Sequence, residues 1–266
     1  MGMEKCNPNK TPATKVPLGK DIEGELMNES WDYRSVVGML LYVSANTRPD
    51  ISYAVSQVAR FSHEPRKTHA TALKMIARYL EGTKTKGTIF KPTEELKLEC
   101  YVDADFAGLY GVEDSSDSVS AKSRSGYIIF LGNCPTLWKS QLQSEVSLST
   151  LESEYVALSQ SIRTVLPMQT LLKEIIPTIT IPRSLTVNLI TTVFEDNNGA
   201  ISLATTHRVT SRTKHFNIKY HFFWDSVEKG DIVIERINSQ EQKADILTKG
   251  LTKDTFEKIR CLIQGW

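Results

Sequence analysis

The sequence has little that would place it in a membrane, outside the cell or around a structural metal. Its 266 residues contain no apolar run near the roughly 20 residues that span a bilayer, and the longest candidate is the short stretch SVVGMLLYVSA. The first residues are polar and lysine-rich, and Cys6 stands where a myristoylation motif needs Ser or Thr. The four cysteines are dispersed, without metal-ligand spacing, which favours free thiols in a reducing compartment. We therefore expect an intracellular protein that is not secreted and has no membrane partner.

An excess of either charge is also missing. The 32 Lys and Arg residues nearly cancel the 31 Asp and Glu residues, which leaves a formal net charge of +1. Overall charge therefore does not identify a nucleic-acid-binding protein, and any such site must be a local patch. The chain is long enough to bury a real core, in one large or two modest domains.

The pattern of the chain changes twice. Residues 1–30 contain three prolines and little periodicity, which is typical of an extended lead-in. Residues 31–90 have apolar residues at helical spacing and predict three helices, with a possible short strand over 86–90. Residues 96–266 predict three strands, then helix, strand, helix, strand and helix. This order indicates an α/β domain with a mixed five-stranded sheet whose first three strands form an antiparallel meander.

Several element ends can be predicted from local signals. Ser149 and Glu152 form a capping-box pattern that opens a long helix, which we expect to reach Pro167. A helical stripe is predicted over 216–227. Near the C-terminus, Ser239 and Gln242 predict the cap of a helix that carries Asp245.

Acidic residues at the ends of these elements are the candidate functional groups. Asp103 ends an apolar strand, LECYVDAD, on the face opposite Cys100 and Val102. A carboxylate at that position needs a cation to offset its desolvation. Later elements supply three further acids: Glu154, Asp196 and Asp245. Carboxylates on separate elements suit Mg²⁺, and two such ions about 4 Å apart can promote phosphodiester hydrolysis.

Three of these choices leave alternatives. Asp105 is a rival to Asp103, because the alternation places both on one face. Glu154 is preferred to Glu152, since Glu152 is the reciprocal residue of the capping box. Asp196 precedes a helix, where Asp or Asn is often only a cap.

Eight ordered stretches of the chain resemble the C-terminal part of the reverse transcriptase polyprotein of copia-type retrotransposons, with its ribonuclease H domain. The resemblance runs from about residue 25 to the C-terminus, and these are the matching stretches: YRSVVGMLLYVSANTRPDISYAV, YVDADFAG, SRSGYIIFLG, WKSQLQ, LSTLESEYVAL, EDNNGAI, RTKHFNIKYHF and ADILTKGL.

The resemblance implies a ribonuclease H-like domain over 96–266, preceded by a thumb- or connection-like helical segment over 31–90. It implies cleavage of the RNA strand of RNA–DNA hybrids by four catalytic acids that also bind two Mg²⁺ or Mn²⁺ ions. These acids fall on Asp103, Glu154, Asp196 and Asp245. Further implied features are an upstream polymerase domain of the same polyprotein as partner, and a cytoplasmic particle or the nucleus as location.

Candidate contacts to the hybrid lie at a strand end, after the fourth strand and in a basic stretch. They are Lys139, Ser140, Gln141, Asn197, Arg212, Lys214 and His215. Lys214 could equally well be a charged residue on the solvent-exposed face of a helix, without a contact to the hybrid. The sequence departs from the wider ribonuclease H pattern in one respect, because INSQEQKAD has no histidine before the last aspartate. His215 or His221 could substitute for it.

Two other functions remain open. The chain could be a non-catalytic module that positions a hybrid for a polymerase domain, which the missing histidine would favour. An integrase-type enzyme would use a smaller acid set and lacks support from the ordered motifs. YVDAD is not read as a polymerase motif, because its aspartates are not adjacent and no hairpin partner accompanies them.

Overall fold

A five-stranded mixed sheet forms the centre of the molecule. The structure is a computed structural model that describes residues 2–3, 5–206 and 220–266. The strands are β1 (Glu95–Asp105), β2 (Arg124–Leu131), β3 (Cys134–Leu142), β4 (Thr186–Glu195) and β5 (Ile232–Arg236). Their spatial order is β3-β2-β1-β4-β5. β1, β2 and β3 pair antiparallel, whereas β4 runs parallel to both β1 and β5. The expected α/β class and the antiparallel meander are therefore confirmed.

Helices precede the sheet, cross between its strands and close the chain. They are α1 (Tyr33–Asn46), α2 (Ser52–Ala59), α3 (Lys67–Gly82), α4 (Thr150–Ile175), α5 (Asn198–Thr206), α6 (Trp224–Glu228), α7 (Asp245–Thr248) and α8 (Lys253–Gln264). None of the helices in the described part of the chain has the length and apolarity needed to cross a membrane.

The alternation of β1 separates two hydrophobic cores. Leu98, Cys100 and Val102 lie in the first core, which α4 and α5 cover. Tyr101 points the other way, into a second core that β2 shares with α1, α2, α3, α7 and α8. Part of the lead-in also reaches this second core, since Leu18 packs against it and Leu26 forms a β-bridge with Arg66.

A buried ion pair stabilises the helical segment. The Arg48 guanidinium makes two hydrogen bonds to the Asp50 carboxylate, of 2.9 and 2.7 Å. The Tyr79 hydroxyl also donates to Asp50, and the guanidinium packs over the Trp266 ring at 5.4 Å. Because Trp266 follows α8, this cluster joins the segment before the sheet to the end of the chain.

Helix α4 corrects one expectation. It continues past Pro167 to Ile175, although Pro cannot donate the backbone hydrogen bond at that position. Contacts beyond the proline compensate, because the buried Gln169 amide donates to the carbonyls of Leu189 and Asp231. These bonds hold the second half of α4 against β4 and the start of β5.

Two further expectations are wrong. Residues 86–90 form no strand; instead the Ile89 N–H donates to the carbonyl of Gln264 at the end of α8. Ser239 does not open the helix of Asp245, since Ser239–Glu241 is a separate 3-10 turn and Gln242 donates its amide to the Val102 carbonyl. The predicted stripe over 216–227 begins outside the described residues, and its described part contains only the short helix α6.

Candidate metal centre

Three acidic side chains meet at one edge of the sheet. Asp103 lies near the C-terminal end of β1, and Asp196 directly follows β4. Because β1 and β4 are parallel neighbours, their C-terminal ends lie side by side. Glu154 comes from the first turns of α4. One carboxylate oxygen from each of the three lies within 4.8 Å of the other two.

The start of α4 determines which glutamate enters this group. The Ser149 hydroxyl accepts the Glu152 N–H at 3.1 Å, and the Glu152 carboxylate accepts the N–H of Leu148 at 2.7 Å. Glu152 is therefore used at the helix N-terminus. Glu154, two residues on, is 4% exposed and lies beside Asp103 and Asp196.

Burial gives the group unusual electrostatics. Desolvation raises the pKa of Glu154 to about 11, and the carboxylates of Glu195, Asp103 and Asp196 add to the effect. Oε2 of Glu154 is buried and has no hydrogen-bond partner among the described residues. A buried, unpaired acceptor is costly unless a cation or a proton satisfies it.

Asp245 is connected to Asp103 through Lys249. It is the first residue of α7, and its Oδ1 is 2.8 Å from the ammonium of Lys249, which in turn is 3.6 Å from Asp103 Oδ2. Burial, then the negative charge of Asp103, raises the pKa of Asp245 despite the opposing effect of Lys249. Burial opposes the charge of Lys249, but Asp103 and Asp245 outweigh it and raise the pKa of the ammonium. Asp245 is thus next to the three-acid group without belonging to it.

Two further acids border the site. Asp105 is not in the three-acid group, and its carboxylate lies against Gly108, where a Cβ would come far inside contact distance of Oδ2. Glu195 is fully buried at the end of β4; its Oε1 accepts the Asn197 N–H at 3.0 Å, while Oε2 has no partner among the described residues. Burial raises the pKa of Glu195 well above its usual value.

The donor set fits a hard divalent cation. Mg²⁺ prefers oxygen ligands at about 2.1 Å, so ligands of one ion lie roughly 3 to 4 Å apart. The 4.8 Å limit on the distances between Asp103, Glu154 and Asp196 requires only small side-chain movements to reach that range. The unpartnered Glu154 oxygen adds a buried acceptor that a cation would satisfy. These three residues could hold a first ion, and Asp103 together with Asp245 could hold a second.

The residues expected to contact the hybrid differ in whether they are exposed or already bonded to other residues of the protein. Lys139 is exposed on the edge strand β3. The Ser140 hydroxyl instead accepts from Arg124 at 3.3 Å, and the Gln141 amide donates to Gln160 at 3.0 Å. Asn197 caps α5, because its Oδ1 accepts the N–H groups of residues 199 and 200. Arg212, Lys214 and His215 lie outside the described residues.

His221 is placed beside α4. Its Nδ1 is 2.7 Å from the Tyr155 hydroxyl, and its ring stacks on Trp224 at 4.2 Å. Burial lowers the pKa of His221. Neither contact residue belongs to the acid group, so these contacts do not connect the histidine to the site.

Sequence reasoning missed three residues of the site: Thr248, Lys249 and Glu195. The Thr248 hydroxyl donates to the Asp103 carboxylate. Lys249 could have been found, because it lies four residues after Asp245, the spacing of an ion pair on a helix. Glu195 could also have been found, since the alternation of β4 places it on the same face as the buried Val193.

The chain is similar to retrotransposon polyproteins over nearly its whole length. It is 36% identical over 252 residues to the "Retrovirus-related Pol polyprotein from transposon RE1" of Arabidopsis thaliana, which covers 95% of this chain and 16% of that protein. The corresponding protein of transposon TNT 1-94 from Nicotiana tabacum is 32% identical over 267 residues, covering 98% of the chain and 19% of that protein. The chain therefore spans less than a fifth of the length of these curated relatives.

Other comparisons are weaker. No family model matches the chain. Among solved structures, the chain resembles LC11-RNase H1, isolated from compost by a metagenomic approach, with 17% identity, a TM-score of 0.37 and coverage of 61% of this chain and 96% of that one.

Proposed function

Since this chain belongs to the retrovirus-related Pol polyproteins of copia-type transposons, we propose that it is the ribonuclease H part of such a polyprotein, which hydrolyses the RNA strand of RNA–DNA hybrids with two divalent ions. One observation carries the proposal: the carboxylates of Asp103, Glu154 and Asp196 converge to within 4.8 Å although they are up to 93 positions apart in the chain, by the difference of their numbers. Mg²⁺ is the proposed cofactor, and Mn²⁺ has the same ligand preference.

Each acid has a distinct position in this proposal. Asp103 belongs to the three-acid group and also lies within ion-pair distance of Lys249, and the Thr248 hydroxyl donates a hydrogen bond to its carboxylate. Glu154 and Asp196 complete the ligand set of one ion, and Asp245 with Asp103 offers the ligands of the other. When bound, two such ions activate the attacking water and stabilise the leaving oxygen of the phosphodiester.

The remaining residues bind and orient the substrate. The proposed hybrid contacts are Lys139 on β3 and Arg212, Lys214 and His215 in the basic stretch; Ser140, Gln141 and Asn197 are secondary, because each already has a protein partner. Cationic side chains contact phosphates, while polar groups read the shallow minor groove and its 2′-hydroxyls. The polymerase domain of the polyprotein is the proposed upstream partner, in an intracellular particle or the nucleus.

A labelled RNA–DNA hybrid tests the proposal. We expect the chain to cut the RNA strand when Mg²⁺ is present and not in EDTA. Asp103→Asn, which keeps the side-chain shape but removes the charge, should abolish the cut. Asp105→Asn is the matched control, because it makes the same change two residues away, outside the three-acid group, and should retain most activity.

The other outcomes separate the alternatives. Cleavage that survives Asp103→Asn would remove Asp103 from the site. Loss of cleavage in Asp105→Asn alone would transfer its role to Asp105. An intact chain that binds the hybrid but never cuts it would support the non-catalytic binding module.

A further inference from the structure

The ammonium of Lys249 bridges two acids of the candidate metal centre. Its Nζ is 2.8 Å from Asp245 Oδ1 and 3.6 Å from Asp103 Oδ2. Asp103 therefore contacts two kinds of group: the carboxylates of Glu154 and Asp196, and an ammonium that it shares with Asp245. Asp103 thus belongs both to the three-acid group and to the pair of acids that share the Lys249 ammonium.

Bridging two carboxylates is the position that a divalent ion between Asp103 and Asp245 would take. A lysine ammonium is a compact point charge on a flexible stem, so it can occupy such a position and leave it. The side chain of Lys249 is 41% exposed, whereas that of Asp103 is 4% exposed, so the stem has a path to solvent that the acid lacks. A divalent ion and the ammonium would repel each other if both bridged the same two carboxylates.

We propose that, in the chain without substrate, Lys249 takes the place of the second divalent ion, so that only the site formed by Asp103, Glu154 and Asp196 is open to a metal. The proposal rests on the function proposed above. A second ion enters when a hybrid is bound, because the substrate phosphate supplies further negative oxygen ligands, and the ammonium then moves away. Lys249 is a positioning residue, which sets the number of ions without touching the reacting atoms.

An alternative role for Lys249 is purely structural. Thr248 already connects α7 to Asp103, and the lysine could only strengthen that attachment. The two roles differ in one measurable quantity, the number of divalent ions that the substrate-free protein binds. A structural salt bridge would leave that number unchanged in a folded variant.

Titration with Mn²⁺ alone, with free Mn²⁺ measured by electron paramagnetic resonance, counts these ions. We expect one ion per chain for the wild type without nucleic acid, and two for Lys249→Met. Lys253→Met is the matched control, because Lys253 is an exposed lysine at the start of α8, and it should bind one ion. Addition of a nuclease-resistant hybrid should raise the wild-type number to two.

Two results would overturn the proposal: two ions bound by the substrate-free wild type, or an unchanged count in a folded Lys249→Met. The wild-type count alone decides if that variant fails to fold. Hybrid cleavage, measured on the same samples, separates this inference from the function. Two ions in the free wild type with normal cleavage refute only the role of Lys249, whereas no bound ion and no cleavage refute the proposed function.

Discussion

Replacing Glu154 with Gln should stabilise the protein in the absence of metal. Burial and the neighbouring acids raise the pKa of Glu154 to about 11, from an ordinary value of 4.5. A carboxyl whose pKa is raised by folding carries no penalty below 4.5. The penalty then grows with pH until the folded-state pKa is reached, because only the unfolded chain releases the proton.

The magnitude follows from proton linkage. Each pH unit in this window changes the free energy of unfolding by about 1.4 kcal/mol, so a single such group costs about 2–3 kcal/mol between pH 5 and pH 7. Gln is nearly isosteric with the protonated acid and does not titrate. The stability of Glu154→Gln relative to the wild type should therefore rise by about 2–3 kcal/mol over these two pH units.

Urea unfolding in EDTA, followed by tryptophan fluorescence at pH 5, 6, 7 and 8, measures this difference. Glu174→Gln is the matched control, since Glu174 is exposed on the same helix and should show no pH-dependent difference. Saturating Mg²⁺ should narrow the difference, because the wild type gains about 2.7 kcal/mol when the ion is at 100 times its Kd. A stability difference that stays constant, or falls, from pH 5 to pH 8 would refute the electrostatic reasoning.

Three further perturbations test the fold and the substrate contact. Gly126→Ala would place a Cβ 2.6 Å from Thr248 Cγ2, so α7 must shift; we expect a loss of about 1–3 kcal/mol in a denaturant titration and a larger loss of hybrid cleavage. Asp50→Asn leaves the buried charge of Arg48 without its partner and should cost about 3–5 kcal/mol, seen as a lower Tm in thermal melts. Lys139→Ala should weaken hybrid binding and reduce the salt slope of log Kd by about 1, and an unchanged slope would exclude a phosphate contact.

The sheet was predictable because its signals are local. Period-two alternation in β1, the hairpin turn between β2 and β3, and the apolar run of β4 each mark a strand without knowledge of the rest of the chain. The limits of α4 were not, because the bonds of Gln169 that carry the helix past Pro167 come from residues 20 and 62 positions away. The same is true of Gln242, whose amide binds β1 instead of capping a helix.

In the acid group, too, local sequence signals identify some residues, whereas others depend on contacts between distant parts of the chain. The end of β1 marks Asp103, and the capping box separates Glu152 from Glu154, so both could be chosen from the sequence. Asp196 could not be told from a helix cap; in the structure the cap is its neighbour Asn197. Spacing alone could not assign Lys249 to two acids at once, because Asp103 lies 146 positions before it, by the difference of their numbers. Such a contact exists only after α7 has packed on the sheet.

The second core limits how much of the N-terminal part of the chain can be removed without exposing apolar surface. Tyr101, Ile128 and Phe130 are at most 7% exposed, and helices from both ends of the chain cover them. A shortened protein that starts at β1 would lose α1, α2 and α3. These side chains would then form an exposed apolar patch, which promotes aggregation. The smallest version that keeps this architecture must therefore include the bridge at Leu26, about seventy residues before the first strand, by the difference of their numbers.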